Sequence, residues 1–143
     1  MKRRLKSSQT PGPTIGEFEA LEFDPERFDH EAHVFVAWSY LSQFDLLESI
    51  SRYRKTLRRL TAMLGVPGKY HETITWFYMI AVAEHAEASK VTDWASFKSA
   101  SPELFRRNPG IISDYYSRSR LMSEMARKKF ILPDLKQCVR TLN

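Results

Sequence analysis

Residues 46–64, LLESISRYRKTLRRLTAML, give the clearest indication of fold class in the chain. Their apolar side chains are spaced alternately four and three residues apart, which places them along one face of an α-helix. These residues are Leu46, Ile50, Tyr53, Leu57, Leu60 and Leu64. Gly65, Pro67 and Gly68 follow, and they are typical of a helix end. We therefore expect a helix over about 45–64 with one buried face that other elements must cover.

Two further helices are expected to supply that cover. Residues 29–41 have the apolar spacing of a helix with little of its surface left polar. Residues 70–88 contain the segment ITWFYMIAVA, which is apolar on every side of a helix. A helix of this kind is typical of the centre of a bundle. The three segments together predict a helical core.

Shorter elements complete the expected fold. Capping residues predict short helices near 14–22, 24–28, 91–97 and 101–105. One helix, or two joined near Ser123, is expected over 111–130 and is ended by Pro133. The sequence has no alternating strand pattern, no internal repeat and no glycine-rich phosphate loop. It therefore predicts an all-α fold, a single compact bundle-like domain.

Composition and length bound the domain organisation. A chain of 143 residues with 43% hydrophobic residues fits one domain with an ample core. We expect a flexible basic tail over 1–13, the helical domain over 14–135 and a C-terminal extension over 136–143. The longest apolar run, WFYMIAVA, is far shorter than the ~20 residues that cross a bilayer, so no membrane partner is expected. A single cysteine and the lack of an apolar leader favour a cytoplasmic protein.

The charge distribution argues against a nucleic-acid-binding domain. The net charge is +5, but the tail alone contributes four of these charges through Lys2, Arg3, Arg4 and Lys6. Residues 13–51 carry nine acidic residues and one basic residue, whereas the rest of the body is basic. Opposite blocks within one small domain favour pairing with each other over recruitment of an external polyanion.

The histidines provide the first candidate site. His30 and His33 are three residues apart and share one helix face, and His71 opens the third helix beside Glu72. His85 lies about 21 Å further along that helix, at ~1.5 Å per residue, so it cannot share a metal ion with His71. His30, His33 and His71 are therefore candidate ligands for a divalent metal ion such as zinc or iron, with Glu72 or Glu31 as a fourth group.

Other interpretations of these histidines stay open. Neither HEAH nor HETIT matches the H-E-x-x-H zinc motif, so the three rings also fit half-buried groups hydrogen-bonded to their neighbours. Metal-free acid–base chemistry is a further alternative, with His71 and Glu72 as the candidate catalytic residues. For His85, a favourable cation near a helix C-terminus is the expected role.

Other residues are candidates for binding a cofactor or ligand. They are Tyr40 and Thr75 beside the histidines, and Tyr115 and Arg118 within DYYSRSR. The five basic residues of SRYRKTLRR, residues 51–59, fit the solvated face of a helix, a phosphate contact, or pairing with the acidic part of the chain.

Three stretches of the chain are familiar together: FDHEAHVFVAWSYL, GVPGKYHETIT and YYSRSRLMSEMARKKFILPDL. They resemble a family of small, mostly bacterial helical proteins known as hypothetical proteins. The resemblance covers about residues 28–135. It implies a free-standing cytosolic domain and assigns no activity, cofactor or functional residue.

The leading functional hypothesis is a small helical protein with a His-lined polar pocket. This pocket would bind a metal ion or a small molecule, with metal-assisted or acid–base catalysis as its chemistry. The alternative is a non-enzymatic interaction module that binds an acidic partner or nucleic acid through its basic tail and arginine-rich helix. A third option is a helical subunit with an apolar contact surface, and a homo-oligomer is compatible with the sequence.

Overall fold

The computed structural model describes residues 10–135, and this part of the chain is all-α, as predicted. Its seven α-helices are α1 (Ile15–Glu19), α2 (His30–Gln43), α3 (Leu46–Met63), α4 (Glu72–Ser89), α5 (Trp94–Ala100), α6 (Arg118–Leu121) and α7 (Glu124–Lys128). Four 3₁₀ helices, Pro25–Arg27, Pro67–Lys69, Pro102–Phe105 and Ile111–Asp114, connect them, and no β-strand occurs within these residues.

Helix α3 forms as its spacing predicts. Asp45 caps its N-terminus by accepting a hydrogen bond from the Glu48 amide. At the other end Gly65 adopts a positive φ of 76°, which a residue with a side chain rarely takes, and so turns the chain out of the helix. The middle of the apolar face is buried, whereas its two outermost residues, Leu46 and Leu64, are 37% and 48% exposed. The core therefore covers the central turns of α3.

Helix α4 is central, because it packs against α2, α3, α5 and α7. Met79 and Val82 are fully buried in the core. The side chains on its remaining face, such as Phe77 and Ile80, are only half-buried. The apolar surface around α4 is therefore covered on one side by helices and on the other by the irregular segment after residue 110.

An aromatic cluster joins the N-terminal part to the core. The ring of Phe18 in α1 contacts four other rings, those of Phe23, Phe28, Tyr40 and Tyr53. A capping box between Thr14 and Glu17 holds the start of α1, where a short helix was expected. Of the tail expected over 1–13, only residues 10–13 belong to the described part, and Pro13 is buried. The extension expected over 136–143 lies outside the described residues.

Over 111–130 the chain forms two short helices, α6 and α7, that are joined at Ser123, which confirms one of the two expected alternatives. The expected bounds were wrong, because Ile111–Asp114 is a 3₁₀ helix and α6 begins only at Arg118. Ser117 and Ser123 are the reason, because each caps a new helix. The Ser117 hydroxyl accepts a hydrogen bond from the Arg120 amide, and the Ser123 hydroxyl accepts one from the Ala126 amide. Serine side chains compete with the backbone for such hydrogen bonds and start helices more readily than they continue them.

Residues 129–135, which we call the strap, run along α4 without helical structure. The buried hydroxyl of Thr73 donates to the Lys129 carbonyl (2.7 Å) and accepts from the Ile131 amide (3.2 Å). The Tyr116 hydroxyl donates to the Ile131 carbonyl at 2.6 Å, and Asp134 accepts from the amide and hydroxyl of Ser117. Side-chain hydrogen bonds therefore hold the strap against the helical core.

Ion pairs connect the acidic first part of the chain with the basic remainder. Arg52 pairs with Glu19 at 3.2 Å, and Lys98 pairs with Glu31 at 3.0 Å. Arg59 donates to the Glu19 carbonyl at 2.9 Å. These contacts are of the kind that the segregated charges favour. Within residues 10–135 no helix is long and apolar enough to cross a bilayer.

Candidate functional site

The two histidines of α2 are bound to different parts of the structure. His30 donates through Nε2 to the Leu104 carbonyl at 2.7 Å. His33 lies one turn further along α2, and its Nδ1 is hydrogen-bonded to the Tyr53 hydroxyl at 3.1 Å. The Phe28 ring covers the His33 ring, with a centroid distance of 4.1 Å. Each imidazole therefore serves a separate contact between elements.

Burial governs the protonation of His33. It lowers the pKa of this imidazole to about 4, and the charges of His30 and Arg107 act in the same direction. The carboxylate of Asp29 opposes them. His33 is therefore neutral near pH 7, and charging it must disturb its packing against Phe28 and Tyr53.

His71 is the N-cap of α4, and both of its ring nitrogens are occupied. Its Nδ1 accepts from the Ile74 amide at 3.2 Å, and its Nε2 donates to the Leu121 carbonyl at 2.8 Å. These roles require the neutral ring with its proton on Nε2. Burial lowers the pKa of His71, the Leu121 carbonyl opposes this, and the charge of Arg127 adds to it. The ring therefore has no free nitrogen for a ligand.

The structure does not bring the expected metal ligands His30, His33 and His71 together. Each ring is turned toward a hydrogen-bond partner of its own, as described above. Within the described part of the chain, no group of three or more His, Cys, Asp or Glu residues could hold a metal ion. The zinc or iron site expected from the sequence is thus not assembled from these residues.

Glu72, a candidate catalytic residue together with His71, is the centre of a buried polar network. The residue is only 7% exposed. Arg54 Nε lies 3.2 and 3.0 Å from its two oxygens, the Tyr70 hydroxyl donates at 2.7 Å, and Trp76 Nε1 donates at 3.0 Å. Four donor contacts from three side chains thus occupy both oxygens of this carboxylate. We call Glu72 with Arg54, Tyr70 and Trp76 the Glu72 network.

The residues expected to bind a cofactor are divided between core and surface. Tyr40 is fully buried and donates to Glu19 at 2.7 Å, and burial, followed by this carboxylate, raises its pKa. Thr75 donates to the His71 carbonyl at 2.9 Å within α4. Arg118 is exposed at the start of α6. Of the four candidates, only Tyr115 lines an apolar cleft.

This cleft, which we call the α4 cleft, lies between the second half of α4 and the segment from residue 111 to the strap. Its volume is about 170 Å³. The lining is mainly apolar and consists of Phe77, Ile80, Ala81, Glu84, His85, Ile111, Tyr115, Tyr116, Phe130 and Pro133.

Aromatic contacts fix both walls of the α4 cleft. The Phe77 ring packs against the rings of Tyr115 and Tyr116, at centroid distances of 5.1 and 6.1 Å. Trp76 stacks on Phe130 of the strap at 5.3 Å. The Leu135 amide donates to the Tyr115 carbonyl at 2.9 Å. The cleft is therefore a formed feature of the fold.

His85 differs from the other three histidines. Its half-buried ring lines the α4 cleft, and it has no hydrogen-bond partner within residues 10–135. The sequence interpretation as a helix-end cation missed this position. A signal was present, because Phe77, Ala81 and His85 are four residues apart and share one face of α4. The opposite wall comes from distant segments and could not be inferred from that spacing.

Comparison of the chain with protein-family models, with curated proteins and with solved structures found no match. The resemblance of the three stretches to a bacterial family therefore stays a prediction.

Proposed function

We propose that this protein binds a small, largely apolar organic molecule in the α4 cleft, with His85 as its hydrogen-bonding group. One observation carries the proposal. The imidazole of His85 has no partner among the described residues and lies at the edge of an apolar cleft. Ligand sites in proteins typically combine such apolar walls with a few unspent polar groups.

The size of the cleft limits the ligand. A dry cavity of roughly 150 Å³ takes up benzene, so a space of about 170 Å³ accommodates one ring with a small substituent. Tyr115, Tyr116 and Phe130 give the ligand aromatic edges and faces to contact. A ring that carries a single hydroxyl or amine fits both the space and the chemistry of the lining.

The chemistry of the site is concentrated in His85. A neutral imidazole can accept a hydrogen bond at one nitrogen and donate at the other. Glu84, the only other ionisable side chain from α4 in the lining, is exposed. Acid–base chemistry on a bound molecule would therefore fall to His85. The proposed binding protein is cytosolic, as the sequence leads us to expect.

Binding of phenol and benzene tests the proposal. Both rings fit the cleft, but only phenol can donate a hydrogen bond to His85. We expect NMR titration of the full chain to shift the amide signals of cleft residues with both probes. Phenol should bind about tenfold more tightly, which corresponds to about 1.4 kcal/mol, the contribution of one hydrogen bond.

Two variants and a matched control complete the test. Ala81→Leu fills the cleft and should abolish binding of both probes, whereas Ala88→Leu adds the same side chain at an exposed position of α4 and should not. His85→Leu should remove the preference for phenol over benzene. Equal binding to Ala81→Leu and Ala88→Leu would place the probes elsewhere and refute the proposal.

The alternative interaction module receives less support from the arginines of α3. Arg52 pairs with Glu19 and Glu48, Arg54 belongs to the Glu72 network, and Arg59 is bonded to the Glu19 carbonyl. Three of the four arginines are thus bound within the domain. The fourth, Arg58, donates no side-chain hydrogen bond within residues 10–135.

A further inference from the structure

A second depression, which we call the basic groove, lies between the C-terminal half of α3, the turn at Pro67 and Gly68, and α7. Its volume is about 610 Å³, within the usual range of ligand sites. Its lining consists of Arg58, Thr61, Ala62, Pro67, Gly68, Tyr70, Glu124, Arg127 and Lys128.

The lining of the basic groove has an excess of positive charge. Arg58, Arg127 and Lys128 face a single carboxylate, that of Glu124. Glu124 lies 3.4 Å from Lys128 one helical turn away, and the two side chains are 75% and 68% exposed. An exposed pair of this kind contributes little binding energy and is easily exchanged. The groove therefore has cations available for an anion.

Arg58 is oriented without being neutralised. Its guanidinium lies over the Tyr70 ring, 5.6 Å from the centroid. Unlike the three other arginines of α3, it donates no hydrogen bond within the described residues. The Tyr70 ring thus contacts the guanidinium, while its N–H groups remain unused by the part of the chain that the structure describes.

A chain of hydrogen bonds holds the wall behind Arg58. The Tyr70 hydroxyl is fixed by Glu72, which Arg54 and Trp76 hold in turn. On the other side of the groove, Arg127 donates one hydrogen bond to the Gly68 carbonyl at 3.1 Å. That bond positions Arg127, and its other N–H groups have no partner among residues 10–135. The guanidinium groups of Arg58 and Arg127, which come from distant parts of the chain, are thus positioned before a ligand binds.

We propose that the basic groove binds the phosphate group of a phosphorylated small molecule, through Arg58 and Arg127 with Lys128 as a further cation. Guanidinium forks match the oxygens of a phosphate and bind it by paired hydrogen bonds. The groove is concave and local, whereas nucleic acid needs a long basic track. The remaining arginines of α3 do not supply such a track, because their side chains are hydrogen-bonded to glutamate residues of the same domain. This site is independent of the α4 cleft.

Isothermal titration of the full chain with phenyl phosphate tests this proposal. We expect saturable binding that Arg58→Gln weakens about tenfold or more, because paired charge-assisted hydrogen bonds are lost. Lys55→Gln removes the same charge from an exposed position of α3 outside the groove and should change the affinity less than about twofold. Arg58 is exposed, and equal unfolding curves of the two variants will confirm that both are folded.

Two further probes separate the sources of the anion. Inorganic phosphate should bind more weakly than phenyl phosphate, because the ester also contacts the groove wall. Equal affinities would overturn the assignment to a phosphate ester. A single-stranded oligonucleotide that binds more tightly than phenyl phosphate, with a steep loss of affinity in salt, would overturn it in favour of a nucleic-acid surface. An equal loss of phenyl phosphate affinity in Arg58→Gln and Lys55→Gln would overturn the assignment of the binding site to the basic groove.

Discussion

The two ends of α4 each carry a histidine next to a glutamate, but their environments are opposite. At the N-terminal end, His71 uses both ring nitrogens and Glu72 accepts from Arg54, Tyr70 and Trp76. At the other end, Glu84 and His85 have no partner within residues 10–135, and both line the α4 cleft. The first pair maintains the fold, and the second is available to a ligand. Whether the donors and acceptors of a side chain are already paired therefore indicates its role better than the residue type does.

The largest effect is expected at Glu72. Glu72→Ala should lower the free energy of unfolding by about 3–5 kcal/mol, because it leaves Arg54 without its buried partner and breaks the contacts of Tyr70 and Trp76. Glu84→Ala is the matched control and should cost less than about 0.5 kcal/mol. Urea denaturation measures both. Similar losses in the two variants would remove the distinction between the ends of α4.

His33 should make the stability depend on pH. Its pKa is about 4 in the folded protein against 6.5 when unfolded. Because the folded-state pKa is lowered, the contribution of neutral His33 to the free energy of unfolding is fully present above pH 6.5 and is lost as the pH falls toward 4. The loss amounts to about 3 kcal/mol at ~1.36 kcal/mol per pH unit. Urea denaturation of the wild type and His33→Gln between pH 7 and 4 will measure it, and parallel pH profiles of the two proteins would contradict this prediction.

His71 should have a smaller effect that divides into two parts. His71→Ala loses the cap of α4 and the hydrogen bond to the Leu121 carbonyl, which together contribute about 2 kcal/mol. His71→Asn keeps a good N-cap and should recover about half of that loss. Thermal and urea unfolding of the two variants test this. If asparagine is no better than alanine, the imidazole does not act as the cap.

The smallest effect on stability is expected at His85. His85→Leu should change the free energy of unfolding by less than about 0.5 kcal/mol, because the His85 ring has no hydrogen-bond partner among the described residues 10–135. The same variant should still lose its preference for phenol, as proposed above. Denaturation beside NMR titration gives both values. A loss above about 1 kcal/mol would assign His85 to the fold and make the two ends of α4 alike.

Much of the fold could be predicted because its signals are local. The spacing of Ile50, Tyr53, Leu57 and Leu60 depends only on helix geometry, and all four residues are buried in the core. Capping by Thr14 and Asp93 is also a short-range effect. In the segment after residue 110, the division at Ser123 was one of the expected alternatives, but the second cap at Ser117, which delays the first helix to Arg118, was not expected.

The candidate site was predictable only in part. The sequence indicated that His71 and Glu72 lie at the start of α4, and they do. It could not indicate that the partner of His71 is the Leu121 carbonyl, 50 residues away, or that Arg54 reaches Glu72 from another helix. Contacts of this range decide which polar groups are free, so the available histidine was not the expected one.

The strap determines how ligand binding in the α4 cleft can be detected. Because Phe130 and Pro133 form one wall, the cleft exists only while the strap is closed, and closure depends on a few hydrogen bonds such as that from the Ile131 amide to Thr73. If the strap opens, we expect a local unfolding event that is separate from unfolding of the helical core. A molecule bound in the cleft selects the closed state and should slow hydrogen exchange at the Ile131 and Leu135 amides while the amides of α3 keep their rates.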